Sequence, residues 1–437
     1  MSKNLKNHPA SNHILSLFVN FASKPRQSVP HSRCISMKTS YYRLLTLLCF
    51  IAIGCAVSAE SVIRFPRDRA SVVAVVVRDL ATGKDIVSQN PHKSMLPAST
   101  MKCVTTAAAI EARLDTARFY TEVFTRGPIV DGVLAGDLVI RGAGDPTTDS
   151  RHFDSGVAFL SEIADSVQQQ GIRNILGRVV VDNTLFPDNG PNDRWELTDL
   201  RYEYGTGLYS LNYLDNACGG RSMRDPEGTF SAALTDTLQL RGIPVEQRKL
   251  DGDPEGFPLS PLLTHLSPRG NEIMTSLMHR SDNMFAEGIL RMQAPGDDLD
   301  TAIKRECQIL TDKGIDLDVS NIYDGSGLSR ENRLTARVLT DVLASMASTS
   351  GKSESYISLF PLAGEEGTVK SLLKDTPLAG KMALKSGSMN GVLCYAGYKL
   401  DDNSKPTHAV VIFVNNFKCR SSYVRDSIGK FLCRQFL

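Results

Sequence analysis

Apolar residues recur along the 437-residue chain with two periods, and the switch between them predicts its elements. The unbroken run Val72-Val73-Ala74-Val75-Val76-Val77 reads as a buried strand, and the turn Ala81-Thr82-Gly83-Lys84 leads to a second strand around Asp85 to Ser88. Helical spacing takes over from Cys103 to Arg113. Short strands are predicted over 121–125 and 133–140, before the glycine-rich Arg141-Gly142-Ala143-Gly144-Asp145-Pro146. A helix follows with Val157, Leu160, Ala164 and Val167 on one face, closed by Gly171; then come a strand over 178–181, ending at Asp182, and a helix over 229–240. Long helices return after the turn-rich segment 251–256, at 270–278, 284–291 and 300–314, and another begins near Thr335. Strands over 392–400 and 409–414 and a helix over 421–436 complete the pattern, the helix turning Val424, Ile428, Phe431, Leu432 and Gln435 to a core.

The block 114–255 differs in texture from what flanks it, with short strands and helices in alternation, and reads as an insertion. Near the N-terminus, Met37-Lys38 and Arg43 precede an apolar run from Leu44 to Val57, and Val57-Ser58-Ala59 supplies small residues for cleavage. This is a secretory signal pattern, too short to span a bilayer comfortably. The expected organisation is therefore a leader extension (1–36), a signal peptide (37–59), a first part of the main domain (60–113), the insertion (114–255) and a second part (256–437). A lipid anchor on Cys55 is the competing reading of the leader, disfavoured by Ala52 where a larger aliphatic residue is expected.

Composition narrows the function. A net charge of +1 with interspersed signs gives no electrostatic footprint for nucleic acid, and 42% hydrophobic residues suffice for sizeable cores. Six cysteines remain after cleavage, an even number that permits disulfides without requiring them. His92, His152, His265, His279 and His408 lack metal-ligand spacing, so neither a metal nor another cofactor is expected.

The candidate chemistry starts at Ser99-Thr100-Met101-Lys102, where a hydroxyl and an amine one helical turn apart can touch. A serine becomes a nucleophile when a neighbouring base takes its proton; a lysine can serve once burial and a second cation have removed its charge. The same spacing at Ser371/Lys374 and Ser427/Lys430 shows that it carries little alone. Its weight comes from Ser281-Asp282-Asn283 and Lys385-Ser386-Gly387 standing after it, in the order seen in β-lactamases and penicillin-binding proteins.

With Asp324-Gly325-Ser326-Gly327-Leu328-Ser329-Arg330 and Lys385-Ser386-Gly387-Ser388-Met389-Asn390-Gly391, the exported chain resembles the class C low-molecular-mass penicillin-binding proteins, the D-alanyl-D-alanine carboxypeptidases and endopeptidases of peptidase family S13. The resemblance implies an α+β fold: a transpeptidase/β-lactamase-like domain, with a five-stranded antiparallel sheet flanked by helices, and an inserted smaller α/β domain. It implies Ser99 as nucleophile, Lys102 as its base, Ser281 as proton relay and Asn283 as the residue that holds Lys102 and the substrate amide. Lys385, Ser386, Gly387 and Ser388 would bind substrate, the amides of Ser99 and Ser388 forming an oxyanion hole. Asp182, Arg330 and Asn390 fall at further substrate-side positions, Asn390 replacing the more usual Gln. The implied partners are peptidoglycan stem peptides and β-lactam antibiotics, in the periplasm. A serine β-lactamase or esterase and a catalytically silent wall-binding module are the rival readings; the chain has neither a Glu-x-x-Leu-Asn element nor a Tyr in place of Ser281.

Overall fold

The structure, a computed structural model, describes residues 62–65, 68, 70–153, 158–248 and 256–437. The leader, the signal segment with Cys55, Val157 and most of the turn-rich segment 251–256 lie outside the described residues.

Continuous apolar runs are what a sheet covered on both faces requires. Strand β1 (Val72–Asp79) sends Val73, Val75 and Val77 to one core and Ala74 and Val76 to another. With β2 (Asp85–Gln89), β7 (Met382–Met389), β8 (Val392–Leu400) and β9 (Pro406–Asn415) it forms a five-stranded antiparallel sheet in the order β7-β8-β9-β1-β2. One face carries the helices α1 (Lys102–Glu111), α4 (Gly270–Arg280), α5 (Asn283–Arg291), α6 (Leu299–Thr311) and α7 (Ala336–Ser348). The opposite face is covered by α9 (Ser421–Phe436), which follows the short α8 (Ser353–Ile357). In α9, Val424, Ile428, Phe431 and Leu432 are buried as the spacing predicts, while Gln435 is half-buried.

The second sheet has the order β6-β3-β4-β5, from β3 (Tyr120–Arg126), β4 (Asp137–Arg141), β5 (Val179–Asp182) and β6 (Leu259–Leu266). Its core packs Val123, Leu138 and Ile140 against α2 (Phe159–Gln169) and α3 (Pro226–Leu240). Two details differ from the expectation. The run 133–140 is broken into Val133–Leu134 and β4, and between them only glycine fits at 136, where a β-carbon would stand 1.7 Å from the Arg126 carbonyl oxygen. Residues 259–266, expected on the main-domain side of a boundary at 255/256, instead pair with β3 and form the edge of this small sheet.

Candidate active site

Ser99 lies in a 3-10 turn, Ala98–Met101, that runs directly into α1. That junction puts the Lys102 amine 3.1 Å from the Ser99 hydroxyl. Lys102 is fully buried, and its Nζ also lies 2.7 Å from Asn283 Oδ1 and 2.7 Å from the Ser326 carbonyl oxygen. A carbonyl oxygen can only accept, so a neutral amine gives its two hydrogens to Asn283 and Ser326. Its lone pair is then left for the Ser99 O–H. The orientation of the Asn283 amide is fixed independently, because its Nδ2 donates to the Tyr204 carbonyl at 2.7 Å.

Ser281 closes α4 in a left-handed conformation, φ 64°, uncommon for a residue with a β-carbon. Asp282 then caps α5 by accepting the Phe285 amide at 3.0 Å. This helix–turn–helix aims two neighbouring residues at different partners: Asn283 meets Lys102, while the Ser281 hydroxyl accepts from Lys385 Nζ at 2.9 Å. Lys385, on β7, donates also to the Ser386 carbonyl at 2.7 Å and is fully buried. Ser386 Oγ donates to Thr368 at 2.7 Å. The strand passes close to Ser99: a β-carbon at Gly387 would lie 2.8 Å from the Pro97 carbonyl and 3.0 Å from the Ser99 amide nitrogen. Ser388 is exposed on the same edge strand.

Electrostatics follow from burial. Lys102 is pulled down to about 8 by desolvation, against the Glu287 and Asp324 carboxylates, which favour its charge. Lys385 is held well below the usual lysine range, first by burial and then by repulsion from Lys102. Burial thus disfavours the charge of both lysines, and at Lys385 repulsion from Lys102 adds to it.

The segment 324–330 is a scaffold rather than a source of nucleophile. Asp324 accepts from Trp195 Nε1 at 2.9 Å, Gly327 N at 2.8 Å, Ser329 N at 2.6 Å and Asn332 Nδ2 at 2.7 Å. Gly327, with φ 81°, fits beneath the Ser99 turn, where a β-carbon would meet the Ala98 carbonyl at 2.0 Å. The other sequence candidates stand apart from the hydroxyl–amine cluster. Arg330 pairs with Glu196 at 2.7 Å, and Asp182 accepts from Arg141 at 2.9 Å and Thr184 at 2.6 Å. Burial alone would raise the Asp182 carboxyl, but Thr184 and Arg141 hold it below its ordinary range. Asn390 is exposed in the turn between β7 and β8. Among the described residues no hydrogen bond joins these three to Ser99, Lys102, Ser281 or Lys385. Sequence reasoning missed the Ser326 and Tyr204 carbonyls; the glycines flanking Ser326 were the available hint of a backbone at close quarters. All six described cysteines are free thiols.

Comparison with known proteins agrees with this geometry. The family model for the D-Ala-D-Ala carboxypeptidase 3 (S13) family matches residues 58–219 and 214–434. A D-alanyl-D-alanine carboxypeptidase from an Actinomadura strain is 26% identical, over 78% of this chain and 77% of its own. The D-alanyl-D-alanine carboxypeptidase DacB of Haemophilus influenzae is 25% identical, over 79% and 86%. The crystal structure of that organism's penicillin binding protein 4 superposes with a TM-score of 0.72 at 21% identity, covering 87% of this chain and 98% of the other. With two thirds and more of its length matched, and the Lys102 amine in contact with both Ser99 and Asn283, the chain belongs to the D-Ala-D-Ala carboxypeptidase 3 (S13) family of serine peptidases.

Proposed function

We propose that Ser99 is the nucleophile of a D-Ala-D-Ala carboxypeptidase acting on peptidoglycan stem peptides outside the cytoplasmic membrane, and that β-lactams acylate the same hydroxyl. The observation that carries this reading is the Lys102 amine, buried and in contact with Ser99 Oγ, Asn283 Oδ1 and the Ser326 carbonyl.

In this reading neutral Lys102 takes the Ser99 proton as Oγ attacks the carbonyl between the two D-alanines. The Ser99 and Ser388 amides stabilise the tetrahedral oxyanion, each donor contributing about 3 to 4 kcal/mol. Breakdown passes a proton through Ser281 to the departing D-alanine amine, leaving an ester on Ser99, and water then hydrolyses the ester. Lys385 and Ser386 receive the terminal carboxylate, and Gly387 admits the substrate backbone. Asp182 meets the free amino end of the stem's diamino-acid side chain, Arg330 and Asn390 make further substrate contacts, and the small sheet β6-β3-β4-β5 with α2 and α3 frames the substrate's side of the site. The same chemistry extends to the D-alanyl amide of a cross-link, giving D,D-endopeptidase activity.

The test is labelling with a fluorescent penicillin, with the Ser99→Ala variant as control. Stable label on the native chain and none on the variant is expected; rapid loss of label would instead mark a β-lactamase, and absence of label a silent module. Mass spectrometry of muropeptides released from purified sacculi then reports the bond cut.

A further inference from the structure

Behind the catalytic lysine lies an acidic layer that the mechanism above does not use. Glu287, on α5, is buried, and its carboxylate oxygens accept the Gly325 amide at 3.2 Å and the Ser326 amide at 2.9 Å. The carbonyl of that same Ser326 receives Lys102 Nζ. Glu287 therefore holds Ser326 by its amide, while the catalytic amine rests on the carbonyl of the same residue, one peptide unit further on. Glu287 also lines a cavity of about 410 Å³ with Asp188, Trp195, Arg291 and Tyr323.

From this geometry we infer that Glu287 is a positioning residue for the acylation step, fixing the Ser326 carbonyl against Lys102 and setting, by its charge, how readily Lys102 gives up its proton. The inference rests on Ser99 and Lys102 acting as proposed. Among the groups facing Lys102, Glu287 gives the largest contribution favouring its charged form, ahead of Asp324 and Asp282. Glu287 is itself raised to about 7 by burial and by Asp324, against the hydrogen bonds from Ser326 and Gly325. The other charges around it are accounted for. Arg291, on the same helix, is paired with Asp188; Glu306 faces it from α6 and is buried; Asp282 caps the helix; Arg194, at the cavity's far wall, is paired with Glu331. No cation other than Lys102 is thus placed to answer Glu287 directly among the described residues.

The consequence has a sign. Acylation needs the neutral amine, so its rate rises with pH through the Lys102 midpoint, and removing a nearby negative charge lowers that midpoint. In Glu287→Gln the rise in acylation by fluorescent penicillin is expected about one pH unit or more below that of the native enzyme. In Glu287→Asp, which keeps the charge, the midpoint should return to within a few tenths of a unit even if the rate is lower. A Glu287→Gln profile with the native midpoint, merely scaled down at every pH, would overturn the inference. So would a Glu287→Asp midpoint displaced by about one unit or more from the native value, and this second variant decides the matter should the first fail to fold. Ser99→Ala separates the two levels: label retained there refutes the nucleophile assignment itself, whereas label lost there with unmoved midpoints refutes only the role of Glu287.

Discussion

At Lys102 two effects compete on one nitrogen. Burial drives off its charge, while three oxygens at hydrogen-bond distance would satisfy all three protons of an ammonium. Desolvation wins by enough to bring the group to about 8. Acylation should therefore climb about tenfold per pH unit below that value and level off above it, which a stopped-flow series with a chromogenic β-lactam can measure. Replacing Lys102 with Arg puts a group there that stays protonated, so acylation should fall by about 10² to 10⁴ at every pH tested. The hydroxyls and amines of the site were legible in the sequence because side-chain chemistry is written in residue names. The two carbonyls that orient Lys102 and Asn283 were not, since every residue carries one and only the fold decides where it points.

Among the elements, α6 carries Glu306, buried against Thr105 and 3.3 Å from Gln293 Nε2. Burial raises its carboxyl from 4.5 to about 8. The unfolded chain loses this proton near 4.5 and the folded chain keeps it to about 8, so the native state binds more protons across that window and stability declines as pH climbs through it. Glu306→Gln has no proton to lose, and should be more stable than the native chain by on the order of 2 kcal/mol at pH 8. The gain should shrink toward pH 5, as urea unfolding at both values would show. The legibility of elements follows burial in the same way. The strand over 392–400 and the helix over 421–436 were read to the residue, each having a continuous buried run or face. Strand β6 was missed because none of its eight residues is buried, Pro261 interrupts its pattern, and a bulge follows Pro261, all of which suit an edge strand.

Across the molecule, the chain's one tryptophan ties the segment that follows β5 to the loop over 324–330. Trp195 is only 5% exposed, and its indole N–H is received by Asp324, the residue that also gathers Gly327, Ser329 and Asn332. In Asp324→Ala four donors lose their acceptor. Unfolding should become easier by about 3 kcal/mol or more, and native-state emission should move to the red, both followed in a single fluorescence titration with denaturant. That the chain carries two separate sheets was legible from the change of texture along it. This tie was not, because Trp195 and Asp324 are 129 positions apart and meet only in the folded chain.

The pairing of Val72–Asp79 with Pro406–Asn415 reaches beyond stability to the order in which the protein can come into being. Val72 leaves the ribosome about 340 residues ahead of its partner Asn415, so the central layer has no way to close until residue 415 has emerged. Until then its valine-rich edge is a sticky, unsatisfied surface that invites aggregation. A nascent chain of this design gains from being shielded by a chaperone or kept threaded and unfolded, and arrest of translation anywhere before residue 406 leaves the five-stranded sheet open.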